Sequence, residues 1–252
     1  MRPDVTELAR FYASPWGRFA AAALGRKLAA LWGEGRGEAR LAIGYPLPLL
    51  TEGDASTLVM MPEGQGGRSW PACGRNRVVL AREEELPFPD HSFDRVLLVH
   101  ALECARRPNR LLREVWRVLA EGGRMVLVVP NRHGLWCWSE RTPFGQGRPF
   151  TIGQIERLCR GHLFEPLRRD QALYLPPLGR RLGPRLAPVV ERIGERTLAA
   201  LGGVLLLEVE KRICAATPLL AGAPRGRRKM AEERPAVAAA RSLGGREAVR
   251  GG

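Results

Sequence analysis

Three side chains able to move a proton stand at the ends of apolar runs. His100 closes the run Arg95–His100, and Glu103 follows it in HALE. His133 lies just past a second run, Arg124–Val129, in the stretch PNRHG. An imidazole or carboxylate so placed could act as a general base on a bound acceptor. The alternative for His100 is a packed ring bonded to backbone. For Glu103 and His133 it is an exposed loop or helix-cap residue. His91 and His162 read as surface positions.

A second candidate stretch is LAIGYPLP, residues 41–48. A turn that cradles a phosphate or nucleotide carries several glycines, because the backbone must approach the ligand closely. Here Gly44 is followed by Tyr45, Pro46 and Pro48. Proline has no amide to offer an anion. Two prolines at alternate positions instead describe a rigid, extended turn. The five cysteines are scattered, and none forms a CxxC pair. Neither a zinc site nor a disulfide framework is indicated, and no metal is expected.

The elements that position these residues follow from periodicity. Residues 4–33 read as helical, with a break near Ser14–Pro15. Five strand-length runs follow: Arg40–Gly44, Thr57–Met61, Arg77–Leu80, Arg95–His100 and Arg124–Val129. Several are apolar throughout, as strands buried on both faces are. Between the fourth and fifth, Leu111, Leu112, Val115, Trp116, Val118 and Leu119 make one helical face, and Gly122 sits where that helix would stop. A strand–helix–strand unit of this size implies a parallel pair. Residues 45–56 leave room for about two helical turns, and 62–76 read as a loop. A helix is expected through TIGQIERLCRGH, capped by Thr151. Residues 170–175 and 203–212 read as two further strands, with a helix in the second half of the segment between them.

Residues 86–103, LPFPDHSFDRVLLVHALE, and the later RVLAEGGRMVLVVPNRHG carry a resemblance. They resemble the core of the class I S-adenosylmethionine-dependent methyltransferases, in particular the type 11 group. There a segment LPFxDxSFD enters the fourth strand, and a helix ending RVLxPGG leads to the fifth. The likeness covers roughly residues 38–165 and is strongest from Leu86 to Pro130. It implies an α/β, Rossmann-like fold: a mostly parallel seven-stranded sheet with a reversed last hairpin, preceded by N-terminal helices. It implies S-adenosylmethionine as cofactor and methyl transfer to a small molecule as activity. The physical reading agrees in part. Pro87 and Pro89 hold the chain extended, Phe88 and Phe93 can anchor it, and the loop lies at the sheet edge where open α/β folds bind ligands.

The family's cofactor contacts carry over unevenly. Its first loop, DxGxGxG, falls on Ala42, Gly44, Pro46 and Pro48, so Gly44 alone survives. Gly44 is the one place where backbone could approach the ligand with no side chain between, so a bulky residue there is expected to block binding and spare the fold. Tyr45 could compensate with its hydroxyl or cover the thioether. The ribose-binding acid at the end of the second strand falls on Met60–Met61, with Glu63 two residues on. The adenine-binding acid falls on Arg82, with Glu83 next to it. The implied cofactor set is therefore Gly44, Tyr45, Glu63, Glu83, Leu86 and His100. Trp136, Trp138, Phe144 and Phe150 could line an apolar acceptor site, and Phe11 and Tyr12 could close over the cofactor.

Composition bounds the rest. No apolar run reaches a membrane span of ~20 residues, and the N-terminus MRPDVTELAR lacks a signal-peptide core, so a cytoplasmic protein is expected. The net charge is +14. Residues 216–252 hold eight basic and three acidic residues, so +5 of it lies there. No basic stretch is interleaved with aromatics, so nucleic acid is not the expected partner. Nothing sets an oligomeric state. The organisation expected is N-terminal helices over 1–37, a methyltransferase-like domain over 38–215 and a disordered basic tail over 216–252. The altered cofactor signatures keep a second class open, a non-catalytic binding or scaffolding protein on the same fold. A third, an RNA-directed enzyme, rests on charge alone.

Overall fold

The structure is a computed structural model that describes residues 2–32, 37–51, 54–175, 191, 194 and 201–212. The expected tail, and most of the expected helix between the last two strands, lie outside the described residues.

Two helices come first. α1 (Val5–Ala13) is capped by Asp4, which accepts from the Thr6 amide, and it buries Leu8 and Tyr12. α2 (Pro15–Trp32) begins on a proline, whose missing amide costs nothing at a first helical position. The two helices meet closely. A side chain at Gly17 would come within 2.0 Å of the Phe11 carbonyl oxygen.

Seven strands form one sheet: β1 (Arg40–Gly44), β2 (Thr57–Pro62), β3 (Val78–Ala81), β4 (Phe93–Val99), β5 (Leu119–Pro130), β6 (Phe164–Ala172) and β7 (Val204–Lys211). Their order is β3-β2-β1-β4-β5-β7-β6. The first five run parallel, and β7 is antiparallel to both β5 and β6. This is the sheet that the resemblance implied. α3 (Pro108–Val118) and α4 (Ile152–Arg160) complete the fold, α4 with the expected Thr151 cap in a reciprocal capping box with Gln154.

Alternate residues of each buried strand enter different cores. Ala42, Val59, Leu97, Val126 and Leu206 pack with α1 and α2. Leu41, Ile43, Met60, Leu98, Leu127 and Leu207 pack with α3 and α4. That two-sided burial is why these strands are apolar throughout. No helix among the described residues is long and apolar enough to cross a membrane.

Three expected boundaries move. α3 stops at Val118, not Gly122, because Leu119 already pairs with Phe93 and begins β5. Gly122 lies inside that strand at φ +67°. Residues 47–49 form a single 3-10 turn in place of two helical turns. β6 lies at 164–172, not 170–175. It is a half-exposed edge strand, and its charged residues conceal the strand period.

Candidate functional site

The strand order reverses between β1 and β4, and in open α/β sheets ligands bind at the carboxyl ends beside such a reversal. Gly44 ends β1 there at φ +97°. A Cβ on it would stand 2.0 Å from the Val99 carbonyl oxygen and 3.0 Å from the Ala101 Cβ. Backbone of the neighbouring strand, not open space, meets Gly44 at that point. This corrects the expectation that a bulky residue would spare the fold. The Tyr45 amide already donates to the Val99 oxygen at 2.8 Å, and Pro46 and Pro48 have no amide. The turn closes through the Leu49 amide to the Pro46 oxygen at 2.8 Å.

The Tyr45 ring is buried and stacks on Tyr12, which α1 brings across the sheet edge, at 6.0 Å between centroids and 25° between planes. The Tyr12 hydroxyl lies 2.8 Å from Nε2 of His100. Burial, and after it the charge of Glu103 and then Tyr45, pushes the Tyr12 pKa well above the ordinary tyrosine value. The phenol therefore keeps its proton. The tautomer in which it donates to Nε2 puts the ring hydrogen on Nδ1, which faces Glu103 Oε1 at 3.3 Å. His100 holds this pose with φ +52°, a left-handed backbone uncommon outside glycine. His100 is 1% and Glu103 2% exposed. Both Glu103 carboxylate oxygens are shut off from water and lack a hydrogen bond of good geometry among the described residues. Phe144 packs on His100 at 4.9 Å and on Trp136 at 5.6 Å, and Phe11 lies 6.1 Å from Phe144.

Beside this cluster opens a cleft of about 760 Å³, lined among others by Arg2, Glu63, Glu83, Glu103, Arg106 and Arg148. Glu63 is exposed on the 3-10 turn after β2. Glu83 is buried, pairs with Arg2 and accepts from the Arg106 amide at 3.3 Å. Arg82, its neighbour, is exposed. Cys104 also lines the cleft, but burial first and the charge of Glu103 second push its thiol up to about 12, so it is no thiolate nucleophile.

The candidate residues thus divide. Glu63 and Glu83 meet at one cleft, which Glu103 borders with its carboxylate sealed from solvent, and Tyr45 and His100 both pack on Tyr12, next to Gly44. Leu86 belongs to the core on the α3 side. His133 is exposed, its amide held by Asn131 at 3.1 Å, and it joins neither group. Of the four aromatics after β5, Trp136 and Phe144 are buried in the cluster, Phe150 packs on the other core, and Trp138 is 79% exposed. Two features escaped the sequence reading. Arg2 carries no local signal at all. Glu114 and Arg117 pin the LPFPD segment to α3: Glu114 accepts from the Leu86 amide at 2.8 Å, and Arg117 donates to the Phe88 and Leu86 oxygens at 2.8 and 2.9 Å. Their acid–base spacing inside the RVL helix was the available clue.

Residues 62–127 match a family described as methyltransferase domain. An uncharacterised protein of Methanocaldococcus jannaschii is 38% identical over 56 residues, which are 22% of this chain and 27% of that protein. A ubiquinone/menaquinone biosynthesis C-methyltransferase of Pasteurella multocida is 36% identical over 61 residues, 24% of this chain and 23% of the enzyme. The chain thus matches about a quarter of the length of these curated relatives. Among solved structures, an S-adenosylmethionine-dependent methyltransferase of Thermotoga maritima superposes with a TM-score of 0.58 at 20% identity, over 82% of this chain and 96% of its own. One from Archaeoglobus fulgidus gives 0.52 at 16%, over 75% and 93%.

Proposed function

We propose, for a chain with this fold and a methyltransferase-domain match over residues 62–127, S-adenosylmethionine-dependent methyl transfer to a small molecule at the β1–β4 edge. S-adenosylmethionine is the cofactor that this family implies. The residues fit it in part. The cleft offers Glu63 to the ribose hydroxyls and Glu83 to the adenine amino group. The β1 turn has little for the carboxylate end, because Tyr45 donates elsewhere and the prolines cannot donate. Of the arginines on the cleft wall, Arg2 is paired with Glu83, which leaves Arg82, Arg106 and Arg148 as cations for it.

The bound cofactor supplies a methyl group already activated by a sulfonium, so the chain has only to align, shield and discharge. α1 and the Phe144 segment shield the edge. A protonated acceptor would need a base, and His100 with Glu103 is the buried pair able to hold its proton. The single observation carrying this reading is the convergence of Glu63 and Glu83 on one cleft at the strand ends.

The second reading, a scaffold that has lost the cofactor, is favoured by the β1 turn, whose Gly44 is packed against Val99. Calorimetric titration with S-adenosylmethionine separates the two. We expect saturable heat from the wild-type protein and at least tenfold weaker binding by Glu83→Gln, one lost bond to a charged group being worth roughly 1.5–3 kcal/mol. No heat at millimolar cofactor establishes the scaffold.

A further inference from the structure

Glu83 is the acid offered to the adenine amino group, and both of its oxygens are already engaged. Oε2 pairs with a guanidinium nitrogen of Arg2, and Oε1 accepts from the Arg106 amide at 3.3 Å. The pair is largely sealed, with 7% of the Glu83 side chain and 15% of the Arg2 side chain exposed. Other acids of the cleft differ. Glu63 is exposed, and Glu84 takes surface arginines, Arg107 at 3.4 Å and Arg110 at 3.8 Å. At Glu83 a guanidinium stands where the N–H donor of a ligand would have to stand.

Arg2 is held less firmly than its burial suggests. A single nitrogen makes the contact, and its Nε is buried with no hydrogen-bond partner among the described residues. The pair thus lacks the two-point fork that makes arginine–carboxylate contacts strong, and the unmatched Nε is a cost that leaving Glu83 removes. Release needs the rotation of one side chain. α1 can stay in place, capped by Asp4 and anchored by Leu8 and Tyr12.

Resting on the reading of this cleft as a cofactor site, we propose that Arg2 is a gate on its adenine end: the guanidinium competes with the adenine amino group for Glu83, and the ligand binds as Arg2 swings away. Both rivals bring N–H groups to one sealed carboxylate. The cost of parting the pair is therefore subtracted from ligand affinity, since a site that is open for a fraction of the time binds in proportion to that fraction. An ion pair that only supported the acid would have the opposite sign, and its removal would weaken binding.

Calorimetric titration of the 252-residue chain with two ligands tests this. One is S-adenosylhomocysteine. The other is S-inosylhomocysteine, which carries a carbonyl oxygen where adenine has its amino group. Arg2→Ala should bind S-adenosylhomocysteine about fivefold or more tightly than wild type does. It should leave S-inosylhomocysteine within about twofold, because a carbonyl oxygen has no hydrogen to give the freed carboxylate. In a Glu83→Gln background, Arg2→Ala should change either affinity by less than about twofold, the two residues acting through one contact. Arg2→Gln carries the same expectations where Arg2→Ala does not fold. An Arg2→Ala protein that binds S-adenosylhomocysteine no better than wild type overturns the gate and makes Arg2 a support of the acid. Equal tightening for both ligands also overturns it, since the arginine would then obstruct the cleft and not the carboxylate. If wild type and Arg2→Ala bind neither ligand, the cofactor reading itself is removed, and this inference with it.

Discussion

At the scale of single residues, Gly44 and Tyr12 do different work from that suggested by their positions. Gly44 sits where a cofactor loop should be glycine-rich, yet its missing side chain makes room for the Val99 carbonyl. Gly44→Ala therefore strains a positive φ and strikes backbone in a fully buried strand. We expect it to destabilise the fold by more than ~2 kcal/mol, read by urea denaturation. A cost under about 0.5 kcal/mol would mean that β4 yields easily and that the turn is free to serve a ligand. Tyr12 joins α1 to the site through its hydroxyl. Tyr12→Phe leaves the buried Nε2 of His100 without its hydroxyl partner, which should cost about 1–3 kcal/mol although the ring is preserved. An unchanged denaturation midpoint would show that water or another donor takes the hydroxyl's place.

Elements decide whether the LPFPD segment stays in place. It has no regular structure of its own, and α3 holds it from one side. Glu114 takes the Leu86 amide, while Arg117 reaches the Leu86 and Phe88 oxygens and Asp90, the last at 2.7 Å. Hydrogen bonding to Arg117 foremost, and to the Leu86 amide, holds the Glu114 carboxyl below its ordinary value of 4.5 against the opposing effect of burial. The folded state thus binds this proton less readily than the unfolded chain. The clamp's contribution is complete above about 4.5 and is lost as pH falls through the lower, folded value. We expect the melting-temperature gap between wild type and Glu114→Gln to be constant near neutrality and to shrink in acid below that point. A gap that widens in acid would assign the stabilisation to another group. Glu114 is only partly buried, so salt should narrow the gap as well.

At the scale of the molecule, the sheet supplies two cores, and the site occupies the edge between them. α1 contributes Leu8 and Tyr12 to one core, and Arg2, just ahead of that helix, lines the cleft, so the N-terminal segment is a structural part of the site as well as a cover. The segment from 216 onward has no apolar periodicity with which to offset its ordering entropy. A chain ending at Ala215 is expected to keep its melting temperature and its cofactor titration, and a loss of several degrees would show that the segment packs on the domain. Its removal lowers the net charge by 5, from +14 to +9, by the eight basic and three acidic residues it contains. Weak, salt-sensitive RNA binding should fall with it. RNA binding that survives truncation and is sequence-selective would favour a nucleic-acid substrate instead.

Sequence alone determined the strands that are apolar on both faces. β1 and β7 were legible almost to the residue because two-sided burial makes most of their side chains apolar, LAI in one and VLLL in the other. It determined α4 through the Thr151 cap, and the LPFPDHSFD edge through its prolines and aromatics. It also brought Glu63, Glu83, His100 and Glu103 into view as separate residues. Only the tertiary structure decided which of them meet. His100 and His133 looked alike, each following an apolar run, yet one is sealed under Tyr12 and Phe144 and the other is exposed. Spacing along a chain cannot say this, because Tyr12 lies 88 positions from His100 and arrives on a helix packed across the sheet edge. For the same reason the partner of Glu83 was invisible. Arg2 comes from 81 positions away, and long-range pairs leave no local period to read.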